Sequence, residues 1–300
     1  MPGLTSNEMA TGYHKINGSN TLQDKITHSH KCLSSGSLSN LIDSTDQVIF
    51  TMPAKAGGSS MKRFAEACND DSYKKLGRNF LNSQNQTEQL LTISYEMPGV
   101  IASHMNQGQH LIRAIKNLPK GVVLVYIHRQ ETSRVLSAVR HVVATRRCKN
   151  RGSHCYILES ELVQLVKSRS FEIGIGATQL LTCETFDTIQ SYAPTMVFMN
   201  YTKVSNVQRL TAKKYCPDLD TVFDVNKKVD SSVIHVQLNS LGINTTVSLN
   251  DWLRAKSSTL EFALGLNNEA TCVAKMRRME NQLHSCDEGH MLYRSIEQSN

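Results

Sequence analysis

Two apolar runs and one helical period organise this chain. Gln47–Met52 (QVIFTM) and Gly121–His128 (GVVLVYIH) are continuous, apolar and rich in β-branched or aromatic residues. Such runs suit the strands of a parallel sheet covered on both faces. The first run leads into a turn, Pro53-Ala54-Lys55-Ala56-Gly57-Gly58, with Ser59 or Ser60 placed to cap a helix. Met61, Phe64, Ala65 and Cys68 then recur at i, i+3, i+4 and i+7, which predicts one apolar helix face. The second run exits through Arg129-Gln130-Glu131-Thr132-Ser133 into a helix predicted to reach Arg147. Val135, Ala138, Val139, Val142 and Val143 are its apolar face, and Arg134, Ser137 and His141 form a polar stripe.

Elsewhere the pattern is weaker. Residues 1–45 are polar without a sustained period, so they read as a disordered segment, and the domain proper is expected to start near Asp46. Asp70–Thr87 is a polar connector with a short helix around Tyr73–Leu81. Leu90–Tyr95 is a strand candidate, Val100–His104 a short strand or loop, and Gln109–Asn117 one or two helical turns. Glu159–Lys167 and Thr178–Tyr192 are predicted helices, separated by a turn at Gly174-Ile175-Gly176. Thr195–Tyr201 (TMVFMNY) reads as another buried strand, and Ser205–Tyr215 as a helix stopped by Pro217. Ser248-Leu249-Asn250-Asp251 caps a predicted helix carrying Trp252, Leu253, Leu260, Phe262 and Leu264 without one clean period, and a charged helix over Glu269–His284 is expected at the periphery. Strands alternating with helices from 47 to 215 predict an α/β fold with a parallel central sheet flanked by helices. Residues 46–300 would then be a single domain with a helical C-terminal part.

Composition changes the picture in three places. The formal net charge of +7 points to an acidic ligand or partner. Much of the excess is local, in Arg140, Arg146, Arg147, Lys149 and Arg151, which suit either a solvated helix end or a substrate contact. The eight cysteines show no C-x-x-C or other metal-ligand spacing, which argues against zinc. Cys148 with Cys155, and Cys272 with Cys286, are spaced to close small loops in an oxidising compartment, and reduced thiols are the alternative. No apolar run is long enough to cross a bilayer. As written the chain reads as soluble. A Golgi-lumenal location is expected if an upstream anchor is missing, and a cytoplasmic one otherwise. Sequons at Asn17, Asn85, Asn200 and Asn244 are weak evidence for secretion.

The candidate chemistry lies at strand ends. A strand feeding a glycine turn that opens a helix is an anion cradle, because converging backbone N–H groups and the helix dipole favour negative charge. Lys55 adds a full charge, and Ser59 and Ser60 add hydroxyls. The ligand expected is a phosphate or a sulfate. The Walker A order is not met, since Lys55 precedes the glycines and no lysine precedes Ser59. The second strand ends in His-Arg rather than in a Walker B aspartate, so a magnesium-dependent ATPase or GTPase is poorly supported.

Lys55-Ala56-Gly57-Gly58-Ser59-Ser60 resembles the 5′-phosphosulfate loop, close to P-K-[ST]-G-[ST]-[ST], of sulfotransferases that use 3′-phosphoadenosine 5′-phosphosulfate (PAPS). A second motif is similar to the same family: VLVYIH leads to Arg129, and Ser137 follows eight residues later, with Arg134 between them. The resemblance covers residues 47–145. It departs from the family at Ala54 and Gly58, and at Gln130-Glu131 where Asp-Pro is usual. It implies a P-loop-like sulfotransferase fold, PAPS as co-substrate, no metal, and transfer of a sulfuryl group to a hydroxyl. Lys55 would stabilise the leaving group, Gly57, Gly58, Ser59 and Ser60 would hold the 5′-phosphate, and Arg129 and Ser137 the 3′-phosphate. His104 is the candidate base, similar in position to the catalytic histidine of uronyl 2-O-sulfotransferases, with His110 and Glu96 in reserve. The partner implied is a glycan or another hydroxyl acceptor, acidic in keeping with the charge, and not a nucleic acid. A non-catalytic nucleotide- or polyanion-binding protein on the same fold is the alternative, and a nucleotide kinase the third reading.

Overall fold

A computed structural model describes residues 28–53, 55–68, 99–104, 121–148, 154–169, 173, 186, 195–219, 233–240, 243–256 and 271–295. Their strands, in chain order, are β1 (His28–Cys32), β2 (Gln47–Met52), β3 (Gly99–His104), β4 (Val122–His128), β5 (His154–Leu158), β6 (Thr195–Asn200), β7 (Val233–Ser240), β8 (Ile243–Ser248) and β9 (His290–Ser295). Their α-helices are α1 (Ser35–Asp43), α2 (Gly58–Cys68), α3 (Glu131–Arg146), α4 (Glu159–Ser168), α5 (Val204–Tyr215), α6 (Leu249–Ala255) and α7 (Thr271–His284).

The two apolar runs form neighbouring parallel strands at the centre of a six-stranded sheet ordered β1-β9-β6-β4-β2-β3. Every residue of β2 and β4 is buried, as expected of strands covered on both faces. β3 and β6 extend the parallel block on either side, and β9 and β1 add an antiparallel margin. From β2 the chain moves to β3 on one side, then crosses back to β4 on the other. By the rule for open α/β sheets, that reversal puts the expected ligand position at the carboxyl ends of β2 and β4.

The domain begins earlier than Asp46. β1 pairs with β9, and α1 starts on Ser34, whose Oγ accepts from the Ser37 amide at 3.2 Å. Leu38 and Ile42 of α1 are fully buried in the main core. The segment escapes periodicity because β1 (HSHKC) is a polar edge strand and α1 carries few apolar residues. Truncating Leu38 to Ala is expected to cost about 2–5 kcal/mol, measured by urea denaturation. A change within about 0.5 kcal/mol would return residues 28–45 to the status of a dispensable tail.

A single sheet does not carry the whole domain. β5, β7 and β8 form a second sheet, β5 parallel and β8 antiparallel to β7. Its core includes Cys155, Ile157, Val236, Trp252 and Leu253. The apolar face of α3 packs into this second core, although α3 starts from β4 in the first sheet. The C-terminal part is therefore strand and helix together. Nor is α7 peripheral: Met279 and Leu283 are buried in the main core, and Glu280 Oε2 lies 3.4 Å from His128 Nε2. His128 is itself buried.

Three disulfides staple the described residues. Cys148–Cys155 closes the predicted small loop. Cys286 pairs with Cys32 instead of Cys272, because the β1–β9 ladder brings the ends of those strands together. Cys68–Cys216 ties the end of α2 to the end of α5. Among the described residues no helix is long and apolar enough to cross a membrane. The helices expected at 73–81, 109–117 and, apart from Phe186, 178–192, the strand at 90–95 and the turn at 174–176 lie outside the described residues, as does the segment 1–27.

Candidate functional site

The loop after β2 turns sharply. The Ala56 amide donates to the Pro53 carbonyl at 3.2 Å, which makes Lys55 the third residue of a four-residue turn. Lys55 has φ of 66°, the left-handed conformation that this position of a type II turn normally gives to Gly or Asn. It is the one non-glycine residue with positive φ among those described. Such a backbone costs about 1–2 kcal/mol, so something must hold it. Arg129 does: its Nη1 donates to the Lys55 carbonyl at 2.8 Å.

Gly57 follows at φ of 91° and caps α2, because its carbonyl accepts from the Ser60 and Met61 amides, each at 3.0 Å. The helix thus begins at Gly58, earlier than a Ser59 or Ser60 cap allows, and both serines sit in its first turn. Ser59 is exposed and Ser60 half-buried, so hydroxyls, first-turn amides and the positive end of the helix dipole gather at one mouth.

Lys55 and Arg129 are therefore brought together from two neighbouring strand ends. Burial, and then the Arg129 guanidinium, pull the Lys55 amine down from its ordinary value to about 8. Burial also lowers Arg129, offset by Tyr201 and reinforced by Arg140 and Arg134. An anion bound between them would relieve this crowding of like charge, which is the electrostatic condition of an anion site.

Ser137 lies on the half-buried side of α3, one turn before the exposed Arg140. Glu131 starts the helix, so Ser137 sits about 9 Å along its axis. Among the described residues no hydrogen bond joins Ser137 to Arg129. Arg134 departs from the polar stripe expected of it. It is buried, pairs with Glu131 at 2.6 Å, and donates to the Ile173 carbonyl at 3.0 Å. Its charge is paired with Glu131 in the helix wall, from where it still bears on Arg129. His104 ends β3 in register with Met52, which puts its backbone at the same end of the sheet as the loop. Glu96 and His110 lie outside the described residues.

One strand-end residue, readable in the sequence as crevice lining but favoured there as ordinary packing, joins the site. Tyr201 follows β6, and the Arg129 guanidinium carbon stands 4.7 Å above its ring centroid. An aromatic residue just past an apolar strand was the available signal, but only the β4–β6 register makes it a neighbour of Arg129.

No family model, no curated protein and no solved structure matches this chain.

Proposed function

We propose that the protein is a PAPS-dependent sulfotransferase acting on a hydroxyl, with a glycan as the preferred acceptor class. The observation that carries this reading is the Arg129–Lys55 contact: the two stretches that resemble the family's phosphate motifs meet in one cationic crevice. A glycine cradle, two serine hydroxyls and two cations at the carboxyl end of a parallel sheet suit a ligand carrying separated phosphate groups.

PAPS brings the activated sulfuryl group, so the protein need only position, neutralise and accept a proton. Lys55 serves the bridging oxygen that gains charge on transfer. The Gly57–Ser60 backbone cradles the 5′-phosphate. Arg129 presents a planar fork to the 3′-phosphate, assisted by Ser137. His104, at the same sheet end, takes the proton of the acceptor hydroxyl. The three disulfides support an oxidising, lumenal or extracellular compartment.

The test has two arms. Calorimetry is expected to show 3′-phosphoadenosine 5′-phosphate (PAP) binding without magnesium, which a nucleotide kinase would not favour. Labelled sulfate from PAPS is then expected on one member of a glycan panel. Absence of PAP binding defeats the reading. Binding without transfer to any hydroxyl acceptor favours the non-catalytic anion binder.

A further inference from the structure

Arg129 has two contacts at this site. The Lys55 carbonyl accepts one of its N–H groups, and its guanidinium carbon stands over the Tyr201 ring. A cation over a ring and a hydrogen bond through one N–H can be made together, which leaves other N–H groups of the fork for a ligand. We propose that Tyr201 is a positioning residue, whose ring holds the Arg129 guanidinium so that one N–H locks the Lys55 backbone while the rest of the fork serves a phosphate. This rests on the reading of Lys55–Ser60 and Arg129 as a two-phosphate clamp.

The need for such a grip follows from the charges. Arg129 sits among Lys55, Arg134 and Arg140, all of the same sign. A long, rotamer-rich side chain in that company is driven towards solvent unless a favourable contact retains it. The aromatic face supplies one, well inside the about 6 Å reach of a cation–π contact.

Tyr201 is itself held in place. The parallel register of His128 with Asn200 sets residues 129 and 201 side by side just beyond the sheet. Tyr201 opens a single 3-10 turn, Tyr201–Lys203, capped by Asn200 Oδ1, which accepts from the Thr202 amide at 3.0 Å and the Thr202 hydroxyl at 2.9 Å. Behind it the Asn200 amide donates to the Gly289 carbonyl at 2.9 Å. Gly289 has φ of 65°, and a Cβ there would lie 3.3 Å from Asn200 Cβ. The turn after Cys286 is thus packed against the base of the Tyr201 turn, and the Cys32–Cys286 disulfide anchors that turn. The line of support runs from disulfide to turn, to Asn200, to Tyr201, to Arg129, to the Lys55 carbonyl.

The experiment reads Lys55 directly. Lysines are labelled by reductive 13C-methylation, Lys55 is assigned with Lys55→Arg, and its titration is followed by NMR in wild type, Tyr201→Leu and Tyr201→Phe. The wild-type amine is expected near 8. Tyr201→Leu should raise it towards its ordinary value, because Arg129 swings away, and should weaken PAP about tenfold. Tyr201→Phe keeps the ring and should match wild type in both readouts. A folded Tyr201→Leu with unchanged Lys55 titration and PAP affinity overturns the proposal. So does a Tyr201→Phe as damaged as the leucine variant, since the hydroxyl would then matter instead of the ring. If Tyr201→Leu loses its near-ultraviolet dichroism, Tyr201→Met takes its place under the same criteria. Should wild type bind no PAP, the two-phosphate reading falls, and the Lys55 titration alone decides the role of Tyr201.

Discussion

On the proposed function, replacing Lys55 by Ala should lower sulfate transfer by about 10²–10³-fold while weakening PAPS binding far less. The asymmetry follows from where charge develops. The bridging oxygen gains negative charge only as the sulfuryl group departs, so an ammonium beside it is worth more in the transition state than in bound PAPS. The pH profile sharpens the test. Lys55 carries its charge below about 8 and loses it above, because burial and Arg129 favour the neutral amine. The kcat/KM profile, which reports the free enzyme, should therefore fall as pH rises through about 8. The corresponding limb of kcat should lie higher, since a bound anion restores the charge. Lys55→Arg should erase the limb. A Lys55→Ala enzyme within about threefold of wild type would remove Lys55 from the chemistry.

Arg129→Ala should weaken PAP by about 10²-fold and adenosine 5′-phosphosulfate, which lacks the 3′-phosphate, by only about fivefold. The larger loss is that of a charge-assisted fork on a phosphate dianion. The smaller one arises because Arg129 also holds the Lys55 carbonyl at 2.8 Å. Without that bond the left-handed backbone at Lys55 loses its restraint, and the cradle shared by both ligands loosens. Calorimetric titration of both nucleotides measures the two losses together. Equal weakening would confine Arg129 to bracing the loop.

The parts of the fold legible in the sequence were those buried on both sides. QVIFTM, VVLVYIH and TMVFMN are continuous apolar runs, and each became a strand of the parallel block. The second sheet was hidden because its strands alternate. In β5 (HCYIL) only Cys155 and Ile157 face the core, and β8 (INTTVS) is mostly polar. Two buried residues in five do not separate a strand from a loop. Position in the chain also misled: β1 and α1 are polar at the sequence level, yet they pack against β9 and α5, distant segments that no local pattern reports.

The candidate site was legible to a similar depth. Lys55 and Arg129 follow adjacent apolar strands, so their convergence was inferable from strand order. Arg134 was misread because charge suggests solvent, whereas Glu131 one turn earlier neutralises it inside the protein. The left-handed Lys55 and the Tyr201 stack depend on dihedral and register, which residue type does not encode.

The margin of the main sheet has a consequence for synthesis. Among the described residues β1 has one neighbour, β9, and some 250 residues separate Cys32 from Cys286. During translation β1 therefore emerges long before β9, the strand it pairs with. Over that interval Cys32 is exposed to Cys68, Cys148, Cys155, Cys183, Cys216 and Cys272 as competing thiols. The β1–β9 ladder and the Cys32–Cys286 bond should therefore form late, with disulfide isomerisation correcting early mispairing.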